Sequence, residues 1–271
     1  MLGKLFKHEF KSTYKVMCLI YAIMVIVTLL GMAVFKMCDI ANDATPTSMV
    51  ILAMVYLVIY IISLFAFMII SYVYLAMHFY KSMYSAQGYL THTLPVKTLT
   101  TFHVKAAVSV IWLLLVNVLT YLSAFGLIYS LLDPMLWRAF LPELLPEIET
   151  VFVSMYGLSM GEFAVIMIIS NLLSPILTIM MIALACSIGQ LFNRQKVAAS
   201  IVAGIILYFI NQVIGNALTM STMISADMSD VTYLADTYGP TIWLSLAVSA
   251  GFTLICYIGS NIIIRKHINL E

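Results

Sequence analysis

Charge is what this sequence has least of. Only 9% of its 271 residues are Asp, Glu, Lys or Arg, whereas an ordinary soluble domain carries about 25%. So little charge cannot cover a water-facing surface, and lipid must meet most of the outside instead. Cysteine is sparse and scattered: Cys18, Cys38, Cys186 and Cys256 include no C-x-x-C pair, so the spacing of a metal site is missing. Three of the four sit in apolar runs, where the thiol behaves as a small hydrophobe. There is no dense Lys/Arg cluster and the net charge is +1, which argues against a nucleic-acid partner. No H-E-x-x-H, G-x-S-x-G or G-x-x-x-x-G-K-[ST] occurs, so neither these hydrolytic constellations nor a phosphate loop for ATP belongs to this chain. The five histidines (His8, His78, His92, His103 and His267) lack ligand spacing and read as solvated or interfacial groups. No A-x-A-type site follows the first apolar run, which therefore reads as a retained span.

What the sequence has in abundance is apolar length. Hydrophobic residues make up 63% and the mean hydropathy is +1.06. Uncharged apolar runs fall at about 16–35, 49–77, 106–132, 163–192, 197–226 and 241–264. Each reaches the roughly 20 residues a helix needs to cross about 30 Å of hydrocarbon, and several are long enough to tilt or to extend beyond it. Membrane strands are shorter and alternate with period two. The expected fold is therefore all-α: a polytopic membrane protein with six transmembrane helices.

Charge then orients the spans. A cytoplasmic N-terminus puts Lys4, Lys7, Lys11, Lys15, Lys81, Lys97, Lys105, Arg194, Lys196, Arg265 and Lys266 inside. Only Lys36 and Arg138 of the thirteen basic residues then fall outside. Basic residues resist translocation, so both termini are expected to be cytoplasmic. Most acids, among them Asp39, Asp133, Glu147 and Asp230, fall on the outer side and agree.

Four extramembrane segments have character. In 1–15, Lys4, Lys7, Lys11 and Lys15 form one helical stripe, opposite Leu2, Phe6, Phe10 and Met17, as expected of a basic amphipathic helix on an anionic inner leaflet. The inner stretch 78–105 is rich in aromatics: Phe79, Tyr80, Met83 and Tyr84 share a helical face. Gly88 suits a left-handed turn, and Pro95 hinders Leu94 from continuing a helix. Aromatics at this density are expected to form an exposed partner surface; the alternative is a loop tucked against the membrane interface, where Tyr and Phe also sit. Of the outer loops, 133–161 is expected to be broken into short turns by Pro134, Pro142 and Pro146. The other, 219–240, should end in a turn at Gly239-Pro240, and for both loops short helices that dip back stay open. The spans supply the remaining 16–271.

No charged side chain lies near mid-span, which counts against a self-powered, ion-coupled transporter. The mid-span polar groups are neutral: Ser63, Asn117, Thr120, Asn171, Ser174, Thr178, Asn211, Gln212 and Asn216. Interhelical hydrogen bonding is the commonest use of such groups. As a candidate pathway, Asn117, Asn171, Ser174, Asn211, Gln212 and Asn216 suit an amphipathic or apolar substrate better than an ion. Pro175 is expected to kink the fourth span. Small-residue pairs (Ala199/Ala203, Ser200/Gly204, Ala247/Gly251) permit close helix contact within one subunit or between two.

The order of a basic N-terminal helix, six spans and an inner helix-turn after the second span resembles the membrane subunit of type-2 ABC exporters. The inner loop is similar to the F-Y-x-x-x-x-x-x-x-G-Y-L-x-x-T-L-P-V stretch of small Firmicutes permeases. It matches at Phe79, Tyr80, Gly88, Tyr89, Leu90, Thr93, Leu94, Pro95 and Val96. It departs from many relatives at Ala86-Gln87, where they carry acids. The resemblance implies a bacterial cytoplasmic-membrane permease that pairs with a second permease subunit and docks separate ATPase subunits. This chain would hold no cofactor and catalyse nothing, ATP and Mg belonging to the partner. Residues 1–15 would be the connecting helix. Phe79–Tyr89, with Leu94 and Pro95 behind it, would couple to the ATPase, and short outer helices would follow the fifth span. The alternative, from a different class, is a membrane immunity or assembly factor that binds an envelope peptide without transport.

Overall fold

A computed structural model describes residues 2–38, 46–85, 88, 98–131, 134–192, 194–225 and 231–266. Every element among them is a helix: α1 (Leu2–Cys38), α2 (Thr47–Tyr84), α3 (Thr98–Leu131), α4 (Pro134–Tyr156), α5 (Met160–Gly189), α6 (Lys196–Ser225) and α7 (Val231–Lys266). All but α4 are long and apolar enough to cross a membrane. The chain is thus a six-span, all-α membrane protein. Ile, Leu, Val and Phe crowd the exposed faces of these six helices, the inverse of a soluble bundle and what a hydrocarbon solvent requires.

The chain divides into two compact units. The first comprises 1–78 and 111–143. In it, α1 and α2 run antiparallel in a register fixed at four depths. Glu9 pairs with His78 at 2.7 Å, the Tyr21 and Phe67 rings meet, the Tyr56 hydroxyl donates to the Val27 carbonyl at 2.5 Å, and Phe35 meets the Tyr56 ring edge-on. Gly31 makes room for the Tyr56 ring, since a Cβ there would lie 2.7 Å from it. The hydroxyl of Ser123, on α3, is hydrogen-bonded to Thr28 at 2.6 Å and to Tyr60 at 2.5 Å, and all three residues are buried. One serine thus joins three helices where no water is at hand to compete.

The N-terminal segment runs directly into the first span. Residues 2–15 are the first turns of α1, with no break at the start of the apolar run. Their apolar stripe is explained in part by packing within the first unit. Met17 is fully buried, Phe10 stacks on Trp112 at 4.7 Å, and the Trp112 indole N–H donates to the Thr13 hydroxyl at 2.9 Å. Part of the apolar side of this segment therefore packs on a neighbouring helix, while Leu2, Lys4, Lys7, Lys11 and Lys15 are exposed.

The second unit comprises 79–110 and 144–271. There α5 packs against α6 and α7, which also touch each other. Close approach again needs small residues: a Cβ on Gly189 would sit 1.9 Å from the Ser200 hydroxyl, and one on Gly204 would sit 3.6 Å from the Ala185 Cβ. Of the small-residue pairs, Ser200/Gly204 is thus used inside the chain, whereas nothing lies within 4 Å of a Cβ at Gly251.

Both outer-loop expectations are corrected. Prolines 142 and 146 lie within α4, one helix from Pro134 to Tyr156. Pro134 opens it, where the missing N–H costs nothing. Gly157, at φ 62°, closes it with its N–H on the Val153 carbonyl at 3.0 Å. Ser159 and Glu162 then form a reciprocal capping box that starts α5. The 219–240 segment is helical at both ends: α6 runs to Ser225, and α7 begins at Val231 and continues through Gly239-Pro240. Glycine is required at 239 because a Cβ would lie 2.8 Å from the Tyr156 carbonyl oxygen. The dipeptide therefore serves a close contact with the end of α4, not a turn.

Candidate functional site

The aromatic end of α2 belongs to the second unit, and its expected exposure is not what the structure has. Phe79, Met83 and Tyr84 are 1%, 0% and 5% exposed. Phe79 meets Phe102 edge-on at 6.0 Å, and the Tyr84 hydroxyl is hydrogen-bonded to the Ser187 hydroxyl at 2.7 Å. The i, i+4 face that reads as a partner surface is a core face, because α3 and α5 of the same unit supply its partners. Tyr80 is half-buried and leans on Tyr84, while Lys81 is exposed. These two carry what this turn of α2 offers to a partner.

Beyond Tyr84 the chain bends, and the Gly88 N–H donates to the Ser85 carbonyl at 2.7 Å. A Cβ at Gly88 would fall 2.4 Å from the Met83 carbonyl oxygen, so only glycine fits this close to the end of α2. Tyr89, Leu94 and Pro95, with the rest of 89–97, lie outside the described residues. His103 anchors the start of α3 to α7. Its Nδ1–H donates to the Leu99 carbonyl at 2.6 Å, leaving Nε2 to accept from the Tyr257 hydroxyl at 2.8 Å. His78, paired with Glu9 in the first unit, and His103 are therefore structural rather than freely solvated. Sequence alone gave no partner for either.

The candidate pathway residues divide between the units. Asn117 lies half-buried in the first. The others lie on α5 and α6 of the second. Pro175 has no N–H, so the Asn171 carbonyl loses its helical donor. The Asn171 side-chain amide donates to the Met167 carbonyl at 2.9 Å. Ser174, beside the proline, is exposed; on α6, Gln212 and Asn216 are exposed and Asn211 is half-buried. The antiparallel register set by Gly189 against Ser200 and Ala185 against Gly204 puts 171–178 at the same depth as 211–216. Six neutral polar side chains, Thr178 among them, thus share one level of the bundle on two adjacent helices. Polar groups facing hydrocarbon are costly, so this level calls for water or for another protein surface.

On α1, Lys4, Lys7, Lys11 and Lys15 are all exposed, and Phe6 and Phe10 are half-buried. Phe6 stacks on Phe10 at 6.4 Å. Among the described residues there is no cluster of His, Cys, Asp and Glu that could hold a metal ion. No family model, curated protein or solved structure matches the chain.

Proposed function

We propose that this chain is the membrane-spanning permease subunit of an ATP-driven exporter of the type-2 ABC kind. It would sit in a bacterial cytoplasmic membrane with both termini inside. It moves an amphipathic or apolar substrate (a peptide, lipid or drug) and borrows its power from a separate ATPase subunit that binds ATP and Mg. The observation that carries this reading is the inner-loop signature, Phe79-Tyr80 followed by Gly88-Tyr89-Leu90-x-x-Thr93-Leu94-Pro95-Val96. It falls after the second span, on the side that the distribution of basic residues makes cytoplasmic.

Two features of the bundle support it. Gly88 lies tightly against the end of α2, beside the buried Phe79, Met83 and Tyr84, at the place where the signature continues. The level of Ser174, Asn211, Gln212 and Asn216 offers neutral polar groups to a passing amphiphile or to a second permease subunit. ATP-driven closure of the ATPase pair would shift the spans only insofar as the two arrangements bind ATP or substrate with different affinity.

The test is co-purification with an ATPase encoded beside this chain. Tyr80→Ala combined with Lys81→Glu and Tyr89→Ala is expected to cut the recovered ATPase at least tenfold without loss of folded permease. Phe79→Ala and Tyr84→Ala, by contrast, remove core side chains and should lower the yield of folded chain itself. Transport of cargo by the purified chain alone, in liposomes without nucleotide, would overturn the proposal.

A further inference from the structure

The first turns of α1 carry a groove of about 370 Å³ lined by Phe6, Lys7, Phe10, Lys11 and Tyr14. Phe6, Phe10 and Tyr14 follow one another at i, i+4 and i+8, and Lys7 and Lys11 run alongside them one position on, so an apolar strip lies against a cationic one. The far edge of the apolar strip is closed by the stacking of Phe10 on Trp112; the edge beside the lysines is open. Glu9 is the only acid in α1, and its carboxylate is paired with His78. The walls of the groove are apolar, made of the aromatic rings and the lysine stems, and the exposed Lys7 and Lys11 bring positive charge to its edge.

Depth fits the same chemistry. The apolar run of α1 begins at Val16, so at 1.5 Å per residue Tyr14 stands about 3 Å, Lys11 about 8 Å and Lys7 about 14 Å beyond it. The polar layer of a bilayer is roughly 5–8 Å deep on each side. Tyr14, Phe10 and Lys11 thus lie at the level of lipid phosphates, with Lys7 one turn above. The lysine stems can lie along the aromatic strip and bring their ammonium groups to one phosphate.

We propose that this groove is a discrete binding site for one anionic phospholipid, its phosphate held by Lys7 and Lys11 and the start of its acyl chains against Phe10 and Tyr14. The inference stands on the groove itself and does not depend on the transport reading. Lys4 and Lys15 are the internal control: they share the helix and the charge but lie farther round it, outside the groove.

The experiment is native mass spectrometry of the purified full chain in a neutral detergent, titrated with phosphatidylglycerol, phosphatidylcholine or inorganic phosphate. Wild type and Lys4→Gln/Lys15→Gln are expected to retain one phosphatidylglycerol with similar affinity. Lys7→Gln/Lys11→Gln should lose roughly 25-fold, at about fivefold per basic residue near an anionic headgroup. Phosphatidylcholine and inorganic phosphate should neither bind comparably nor displace the anionic lipid. Equal weakening in the two double variants would reduce the effect to diffuse charge. Comparable retention of phosphatidylcholine would make it a general lipid contact, and displacement by inorganic phosphate would make it a free-anion site. Each of those results overturns the proposal.

Discussion

At the scale of single residues, the structure turns on where a methyl group has room. Gly189 has none: an added Cβ would meet the Ser200 hydroxyl at 1.9 Å and, at 2.7 and 2.8 Å, the backbone of Lys196 and Ser200. Backbone cannot step aside as a side chain can, so Gly189→Ala should cost at least the roughly 1–3 kcal/mol of an overpacked core. Gly251 faces open space, and Gly251→Ala should be neutral or gain up to about 1 kcal/mol from helix propensity. Melting of the two variants in detergent checks the contrast, and equal melting points would contradict the packing described. The hydroxyl hub of Thr28, Tyr60 and Ser123 gives a second prediction. Ser123→Ala removes the shared partner of two buried hydroxyls and should destabilise by roughly 0.5–1.5 kcal/mol, within the range of interhelical hydrogen bonds in membranes. Tyr60→Phe should cost less, because it deletes one bond and leaves no hydroxyl behind. Neither the hub nor the buried setting of Phe79, Met83 and Tyr84 was legible in the sequence. Spacing reveals that residues share a face, but it does not say whether that face meets a partner, lipid or another helix of the same chain.

At the scale of elements, apolar run length identified six helices but not where they end. Helices α1, α2 and α3 have 37, 38 and 34 residues, or about 55, 57 and 51 Å, against about 30 Å of hydrocarbon. The polar turns that continue a span carry no apolar signal, and so they read as separate segments. Proline was misleading for a related reason. In α4, Pro142 and Pro146 mark a break by every local rule, yet both lie exposed in a continuous helix, where each removes one backbone hydrogen bond. Pro146 is a net liability to that helix of up to about 3 kcal/mol. Pro146→Ala should therefore slow amide hydrogen exchange across residues 142–150 and raise the melting temperature. Exchange that stays as fast as in the wild type would mean that α4 is not helical there in the membrane. The capping box of Ser159 and Glu162 was readable in principle, since S-x-x-E stands directly before an apolar run.

At the scale of the molecule, every proposed role depends on which side of the membrane each feature faces, and the positions of the basic residues are the ground for the proposed orientation. The wholesale asymmetry, eleven basic residues against two, was open to reading because it is a sum over all loops and tolerates errors at any one boundary. The division of the helices into two units was not, because it depends on which faces pair. Orientation can be measured directly. In a background with Cys18, Cys38, Cys186 and Cys256 replaced by Ser, single cysteines at Lys81 and Glu149 report opposite sides, since Lys81 and Glu149 are exposed and an odd number of spans separates them. In intact cells a membrane-impermeant maleimide should label the Glu149→Cys chain fully and leave the Lys81→Cys chain unlabelled until the cells are broken. The reverse pattern would turn the inner loop outward, away from any ATP, and would end the case for an ATPase docked beneath it. Labelling at both positions in intact cells would mean that the chain inserts in two orientations. A split of eleven to two makes that costly, because one orientation would carry most of the lysines and arginines across the membrane.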